Sequence, residues 1–445
     1  MHTHARTLRN PRLAYLLSAT LALACSDDGG SDGTGGTEAG DGDGDPSGDG
    51  DPSGDGDPSG DGDPSGDGDP SGDGDGDGDV GTKQIPLAAT MRSCSVSEAG
   101  EILCWGWGRD GQLGDGVAED PHIVAAPSPI VGVDAAIVDV CGDGLHSCVV
   151  SEGGDAWCFG TAYEGALGNG VLGEAIEPSP VAVTDLSGAA QIDCGSSFTC
   201  ARTQAGEVLC WGNGASGRLG TGTTDDTAAP AATMVGSASD LATGSDHACA
   251  VVAGEVWCWG SNINWQLGND DPGASSLVPV KIPELPSGIV DVDCGSGHSC
   301  AVDGDGGLWC WGANDEGQIG NGSDNGQVLS GAQIDALPGP VISISAGYQF
   351  TCAVVEGGAV YCWGLGDLGQ LGNGASGAGT RENTPVPVTG LDAGARRVSA
   401  GHSHACAVTD DGRMLCWGEG SSGELGDGVV APDHGSAVPV EVVGL

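Results

Sequence analysis

Seven times this chain places a Cys, runs nine or so residues, and places a second Cys followed by an aromatic residue and Gly. The pairs are Cys94 with Cys104, Cys148 with Cys158, Cys200 with Cys210, Cys249 with Cys258, Cys300 with Cys310, Cys352 with Cys362, and Cys406 with Cys416. The aromatic residue is Trp in six copies and Phe159 in the second, and it advances by 54, 52, 48, 52, 52 and 54 residues. A period near 50 means one supersecondary unit copied end to end. About 360 of the 445 residues, from Ile85 to Leu445, read as a single array. Seven copies of a β-rich unit point to a closed ring.

The copy around Cys300 shows the unit. Ile289-Val290-Asp291-Val292-Asp293 alternates as a strand, and Gly295-Ser296-Gly297 turns. His298 to Val302 is a second strand and Leu308 to Trp311 a third. A Gly-rich loop follows, and a Pro-Val segment such as Val278-Pro279-Val280 closes each unit. That is about four short strands with no helical periodicity.

Turn chemistry fixes the register of the central hairpin. If the two Cys of a pair stand opposite each other, the residue after the midpoint is Gly100, Gly154, Gly206, Gly306, Gly358 or Gly412 in the ten-residue spacings. A three-residue hairpin loop needs a left-handed residue there, which is glycine's role. The spacing from Cys249 to Cys258 is one residue shorter, and its centre falls between Ala253 and Gly254, as a two-residue turn requires. Opposed strand residues lie within disulfide reach. One disulfide per unit is therefore expected, each contributing roughly 2.5–3 kcal/mol on the chain-entropy account. Cys141, Cys194 and Cys294 precede a Gly and fall on the innermost strand; Cys141 with Cys194 is one pairing open to them, leaving Cys294 free.

The composition calls for such cross-links. There are 85 Gly but only 3 Phe, 4 Tyr and 4 Met, so little large apolar area is available to bury. Zinc is the competing use of 18 Cys. However, the pairs lack C-x-x-C spacing, and His146, His247, His298 and His404 each sit two residues before a Cys in separate units, where they cannot converge on one ion. They read as turn-bonding or packing residues. No metal and no cofactor is expected.

The N-terminal region points to export. Arg6, Arg9 and Arg12 precede an apolar run from Leu13 to Ala24, too short for a permanent membrane span. The run ends in Ala22-Leu23-Ala24-Cys25 and resembles a bacterial lipoprotein signal, which implies removal of residues 1–24 and lipidation of Cys25. Residues 26–82 hold 19 acidic side chains and no Lys or Arg, in Gly-Asp-Gly-Asp-Pro-Ser units, and 25–84 read as a disordered tether. Asp41, Asp43 and Asp45 alternate as in a calcium loop, but Pro46 stands where the loop needs Gly, so a specific calcium site is not expected. An exported chain also suits disulfides. The expected location is the cell envelope, with membrane contact through the lipid alone, or else the secreted fraction.

At this point the residues resemble a family. Gly369-Gln370-Leu371-Gly372-Asn373-Gly374, with its near copies at 111–116 and 317–322, and the recurring Ala-Gly-x-x-His and Trp-Gly steps, are similar to the repeats of the regulator of chromosome condensation family. The resemblance implies an all-β seven-bladed β-propeller over 85–445, with the terminal segment ending Val438 to Val443 completing the first blade. The founder of that family exchanges nucleotide on a small GTPase and binds chromatin; other members are secreted propellers that bind and inhibit proteins.

Charge selects among these roles. With 63 acidic against 13 basic residues the net charge is −50, which repels nucleic acid and nucleosomes. No Ser-His-Asp signature, no phosphate loop with Lys and no distinctive carboxylate pair is evident, so an enzyme is not expected; Asp225-Asp226 and Asp270-Asp271 read as solvated loop residues. The leading expectation is a monomeric protein-interaction scaffold. A glycan-binding propeller is the alternative, and exchange-factor-like or hydrolytic activity ranks lower. Trp107 and Trp265, off the repeated aromatic position, are candidate binding residues. The variable loops Asp115 to Pro129, Asn169 to Ser179 and Asn373 to Thr384 are candidate contact regions.

Overall fold

Short alternating segments between turn glycines build seven four-stranded antiparallel sheets, each from one contiguous stretch of chain. The computed structural model describes residues 87–89, 91–97, 100–271 and 275–445. The expected signal sequence, Cys25 and the expected acidic tether lie outside these residues. In the fifth blade the strands are Ile289–Cys294, His298–Asp303, Leu308–Ala313 and Gln327–Gln333, in that order from the axis outward. The innermost strands of all blades are Leu87–Ala89, Ile137–Gly142, Ala189–Gly195, Asp240–Thr243, Ile289–Cys294, Val341–Ala346 and Ala395–Ala400. Each lies against the innermost strands of both neighbouring blades, and the first lies against the last, so the sheets close into a seven-bladed propeller.

The hairpins adopt the expected turns. Gly306 (φ +79°) is left-handed, with Asp303 N donating to Gly307 O and Gly306 N donating to Asp303 O. In the shorter fourth-blade hairpin, Ala253 (φ 53°) and Gly254 (φ 77°) are both left-handed, as a primed two-residue turn demands.

These turns set the two cysteines of every blade directly opposite each other. In blades one to four Cys94 faces Cys104, Cys148 faces Cys158, Cys200 faces Cys210, and Cys249 faces Cys258. In blades five to seven Cys300 faces Cys310, Cys352 faces Cys362, and Cys406 faces Cys416. All seven pairs are disulfide-bonded, with Cα atoms 4.0–4.1 Å apart. The second Cys of each pair sits on the third strand, just before the buried aromatic residue. Each bridge therefore ties the middle of the sheet to the residue that packs between blades. An eighth bridge, Cys141–Cys194, joins the second and third blades, and Cys294 is a free, buried thiol.

Packing between blades repeats one device. Trp105, Trp211, Trp259, Trp311, Trp363 and Trp417 are fully buried. Each such ring removes roughly 150–250 Å² from water, a gross gain of about 4–6 kcal/mol. The indole Nε1 of Trp363 donates to the Gln318 carbonyl of the preceding blade at 2.9 Å. The Thr351 hydroxyl donates to that same carbonyl (2.8 Å) and accepts from His298 Nε2 (2.9 Å). One carbonyl thus takes two donors from the next blade. The same node recurs at Ala166, Gln266 and Glu424, with Thr199 and Trp211, Ser299 and Trp311, and Ser93 and Trp105. It explains the Gly of the Gln-Leu-Gly motif: a Cβ at Gly320 (φ +83°) would meet the Trp363 ring at 2.6 Å.

Closure of the ring departs from the sequence expectation. The last strand, Gly435–Glu441, pairs with Met414–Glu419 of its own blade and does not complete the first one. The first blade takes its innermost strand from Leu87–Ala89 and its outermost from Ile123–Pro129. The seven-unit count is therefore whole on both sides of the joint. That joint is held by Trp105 packed on Val408, Met414, Leu425 and Val442, by the Glu424 carbonyl node, and by a backbone bond from Gly428 N to Ala125 O (3.0 Å).

Candidate functional site: the axial cavity

Where the innermost strands converge they line an axial cavity of about 980 Å³. Its walls follow from strand alternation. The residue opposite the first Cys of each pair is Cys141, Asp193, Ala242, Asp293, Ser345 or Ser399 in blades two to seven. Two residues earlier, on the same face of the strand, stand Asp139, Gln191, Asp240, Asp291, Ser343 and Arg397. Two tiers thus bring five carboxylates into one cavity, one tier also carrying Arg397, and Arg202 and Arg396 line the same cavity.

These carboxylates have a structural task. An innermost strand pairs on one side only, so its other edge presents unpaired N–H groups. Asp139 Oδ2 accepts the Ile192 N–H of the next blade at 2.8 Å, Asp193 Oδ2 accepts Thr243 N–H at 2.6 Å, Asp240 Oδ2 accepts Val292 N–H at 2.9 Å, and Asp293 Oδ2 accepts Ala346 N–H at 2.8 Å. Ser345 Oγ continues the series to Ala400 N–H at 3.0 Å. Gln191 Nε2 adds a bond to Asp240 Oδ1 at 2.9 Å. Asp139, Asp193, Asp240 and Asp293 are edge caps that tie the second blade through to the sixth.

Their electrostatics carry a cost. Although solvent reaches them through the cavity, they lie far from bulk water. Burial, opposed by the donated N–H bonds, raises Asp139 and Asp293 to about 6. Burial and then the charge of Asp293 raise Asp193 to about 7. Asp291 is raised well above the ordinary value by burial first, and then by Asp240 and Asp293. The four histidines behave oppositely. Burial pushes His146, His247 and His404 down to about 3 and His298 to about 4, so they are neutral. Each hydroxyl partner donates to a carbonyl, so the His Nε2 must be the protonated nitrogen.

Sequence reasoning placed the Cys pairs in the hairpins, but it found no distinctive carboxylate pair. The bridging cysteines, from Cys94 and Cys104 through Cys406 and Cys416, are framework residues in the blade interiors and take no part in the cavity wall. The fold brings Asp240, Asp291 and Asp293 together at the axis, whereas the adjacent pairs Asp225-Asp226 and Asp270-Asp271 are exposed in loops. The legible signal was the offset of Asp193 and Asp293 from the following Cys. Trp107 ends the third strand of the first blade, Ile102–Trp107, and Trp265 lies in a fourth-blade loop with φ +65°. Both are half-buried, and neither lines the axial cavity.

Comparison with known proteins agrees with this architecture. The family model described as the RCC1-like domain matches residues 101–444. The chain belongs to the RCC1-like family. This RCC1-like propeller is 33% identical over 339 residues to the ultraviolet-B receptor UVR8 of Arabidopsis thaliana, covering 74% of this chain and 76% of that one. It is 30% identical over 344 residues to the human E3 ubiquitin-protein ligase HERC2, covering 75% of this chain but only 6% of that protein's length. Among solved structures, Prp20p from Saccharomyces cerevisiae superposes with a TM-score of 0.69 at 23% identity, over 81% of this chain and 88% of that one; this likeness concerns the fold.

Proposed function

We propose that this RCC1-like propeller is an exported, lipid-anchored scaffold of the cell envelope that binds a protein partner through its inter-strand loops. The observation that carries the reading is the cross-linking of every blade, with eight bridges among the described residues, around a cavity where four aspartates tie neighbouring blades together. A rigid, oxidised body suits a compartment outside the reducing cytosol. The apolar run before Cys25 supplies a route there and an anchor. The Prp20p structure was described with its binding to Gsp1p and histones; a role in protein binding is carried over by analogy, and those particular partners are not. The test is affinity capture of envelope and secreted proteins on the oxidised protein, with fatty-acid-analogue labelling of Cys25. Specific capture and a label on Cys25 are expected. No captured protein would remove the scaffold reading, and no label would remove the anchor.

A second reading is favoured by one relative. The chain is 29% identical over 375 residues to the mouse secretion-regulating guanine nucleotide exchange factor, covering 75% of this chain and 77% of that protein. Accelerated release of a fluorescent GDP analogue from a small GTPase would establish it. The glycan alternative rests on Trp107 and Trp265 as stacking rings, and a glycan array tests it.

A further inference from the structure

The loop between the third and fourth strands of the second blade differs from its counterparts. In the third, fifth and sixth blades this segment is polar or small, as in Thr221 to Asp226, Ser323 to Gly326 and Ala375 to Gly379, while the fourth exposes Ile263 and the seventh Val429 and Val430. In the second blade it exposes Tyr163 (37%), Val171 (49%), Leu172 (60%) and Ile176 (45%). Backbone pairing gathers them. Tyr163 bridges Gly173, Ala162 N donates to Ala175 O at 2.7 Å, and Thr161 pairs with Ile176. Four large apolar side chains within one short, ordered loop are more than the scattered exposure usual on a monomer.

The surroundings say what would cover them. The Tyr163 hydroxyl is held in its neutral form chiefly by the negative charge of Glu164, with Glu174 and Asp226 adding to it. Between Arg109 and Arg202 the sequence has no Lys or Arg, so the blade offers these carboxylates no cation of its own. A second copy of this chain, itself at −50, and an anionic lipid surface would both be repelled.

We propose that this loop is the docking surface for a protein segment whose apolar residues are flanked by Lys or Arg. The apolar side chains cover Leu172 and Ile176, and the flanking cations meet Glu164 and Glu174. The proposal rests on the scaffold reading and names the partner class that reading leaves open.

The test uses the full oxidised chain and two fluorescein-labelled synthetic peptides, one of mixed Leu and Lys and one of Lys and Ser at equal charge, read by anisotropy. The Leu/Lys peptide should bind more tightly than the Lys/Ser peptide. The double variant Leu172→Asp with Ile176→Asp should weaken the Leu/Lys peptide about tenfold, although its added negative charge attracts Lys. The matched variant Val429→Asp with Val430→Asp, in the seventh-blade loop, should bind like the unaltered protein. Glu164→Gln with Glu174→Gln should weaken binding and reduce its salt dependence. Equal binding of the two peptides, or undiminished binding by the variant at Leu172 and Ile176, overturns the proposal. If partners captured from the envelope are held equally by the unaltered chain and that variant, the scaffold reading stands and this surface falls.

Discussion

Glu424 stands where four other blades carry Gln112, Gln266, Gln318 and Gln370, and like them it accepts a backbone N–H two residues earlier, here Ser422 N at 2.8 Å. Burial raises its carboxyl to about 7 from an ordinary 4.5. A raised acid pKa means the folded state holds the proton more firmly than the unfolded chain. The protein therefore incurs no penalty below pH 4.5 and an increasing one as pH rises toward 7, reaching roughly 3 kcal/mol above it. Glu424→Gln keeps the acceptor and removes the charge. It should leave thermal stability unchanged at pH 4 and raise it at pH 8, the difference opening between pH 4.5 and 7 in melting curves. A second residue-scale expectation concerns the carbonyl node. Thr351→Val deletes the hydroxyl between His298 and Gln318 and leaves His298 Nε2 without an acceptor. A loss of about 1–3 kcal/mol in urea denaturation is expected, with His298 then titrating differently by NMR.

At the level of strands and blades, the cysteine set at the seam between blades two and three, Cys141, Cys148 and Cys194, differs from its counterpart between blades four and five, Ala242, Cys249 and Cys294, by one side chain. Cys141 and Ala242 both stand opposite the first Cys of their own hairpin, Cys148 and Cys249. Cys294 Sγ lies within 4.8 Å of Cys249 Sγ, as Cys194 Sγ does of Cys148 Sγ. Ala242→Cys should therefore form a bridge to Cys294 like Cys141–Cys194, read as loss of the free thiol in peptide mapping and a higher melting temperature. Much at this scale was legible beforehand. The seven units, the strands of the fifth blade, the hairpin turns and the opposed Cys all follow from local chemistry: period two, glycine at left-handed positions and fixed Cys offsets. The pairing of Cys249 with Cys258 shows how local that chemistry is, since a spacing shorter by one residue simply selects a shorter turn and keeps the two sulfurs opposed. The edge caps were not legible, because Asp139 and Ile192 meet only when consecutive blades are stacked. The closing strand was misassigned for a related reason. A repeat read from sequence has no intrinsic start, and the choice between shared and whole terminal blades is made by the pairing of Gly435–Glu441.

For the molecule as a whole, charge and connectivity set the behaviour. Residues 85–445 carry 44 acidic against 9 basic residues, a net charge of −35, so the folded body repels itself, and the described residues offer few ion pairs to offset this. Raising ionic strength from about 0.01 to 0.15 M shortens the screening length from about 30 to 8 Å, so the melting temperature should rise with salt; a fall would show that exposed ion pairs outweigh the repulsion. The first and seventh sheets are each whole, so the joint between them is crossed by side chains and single backbone bonds and by no shared strand. From Glu441 the remaining residues reach Leu445, and elsewhere the link from Ala182 to Ala189 spans a comparable step from rim to axis. A circular permutant that joins Leu445 to Leu87 through a short linker and opens between Ala232 and Asp240 should assemble the same seven sheets. Each blade then behaves as an interchangeable cassette. Lineages could lengthen or shorten such a wheel by copying or excising one uninterrupted stretch of gene, with no strand left to find a new neighbour.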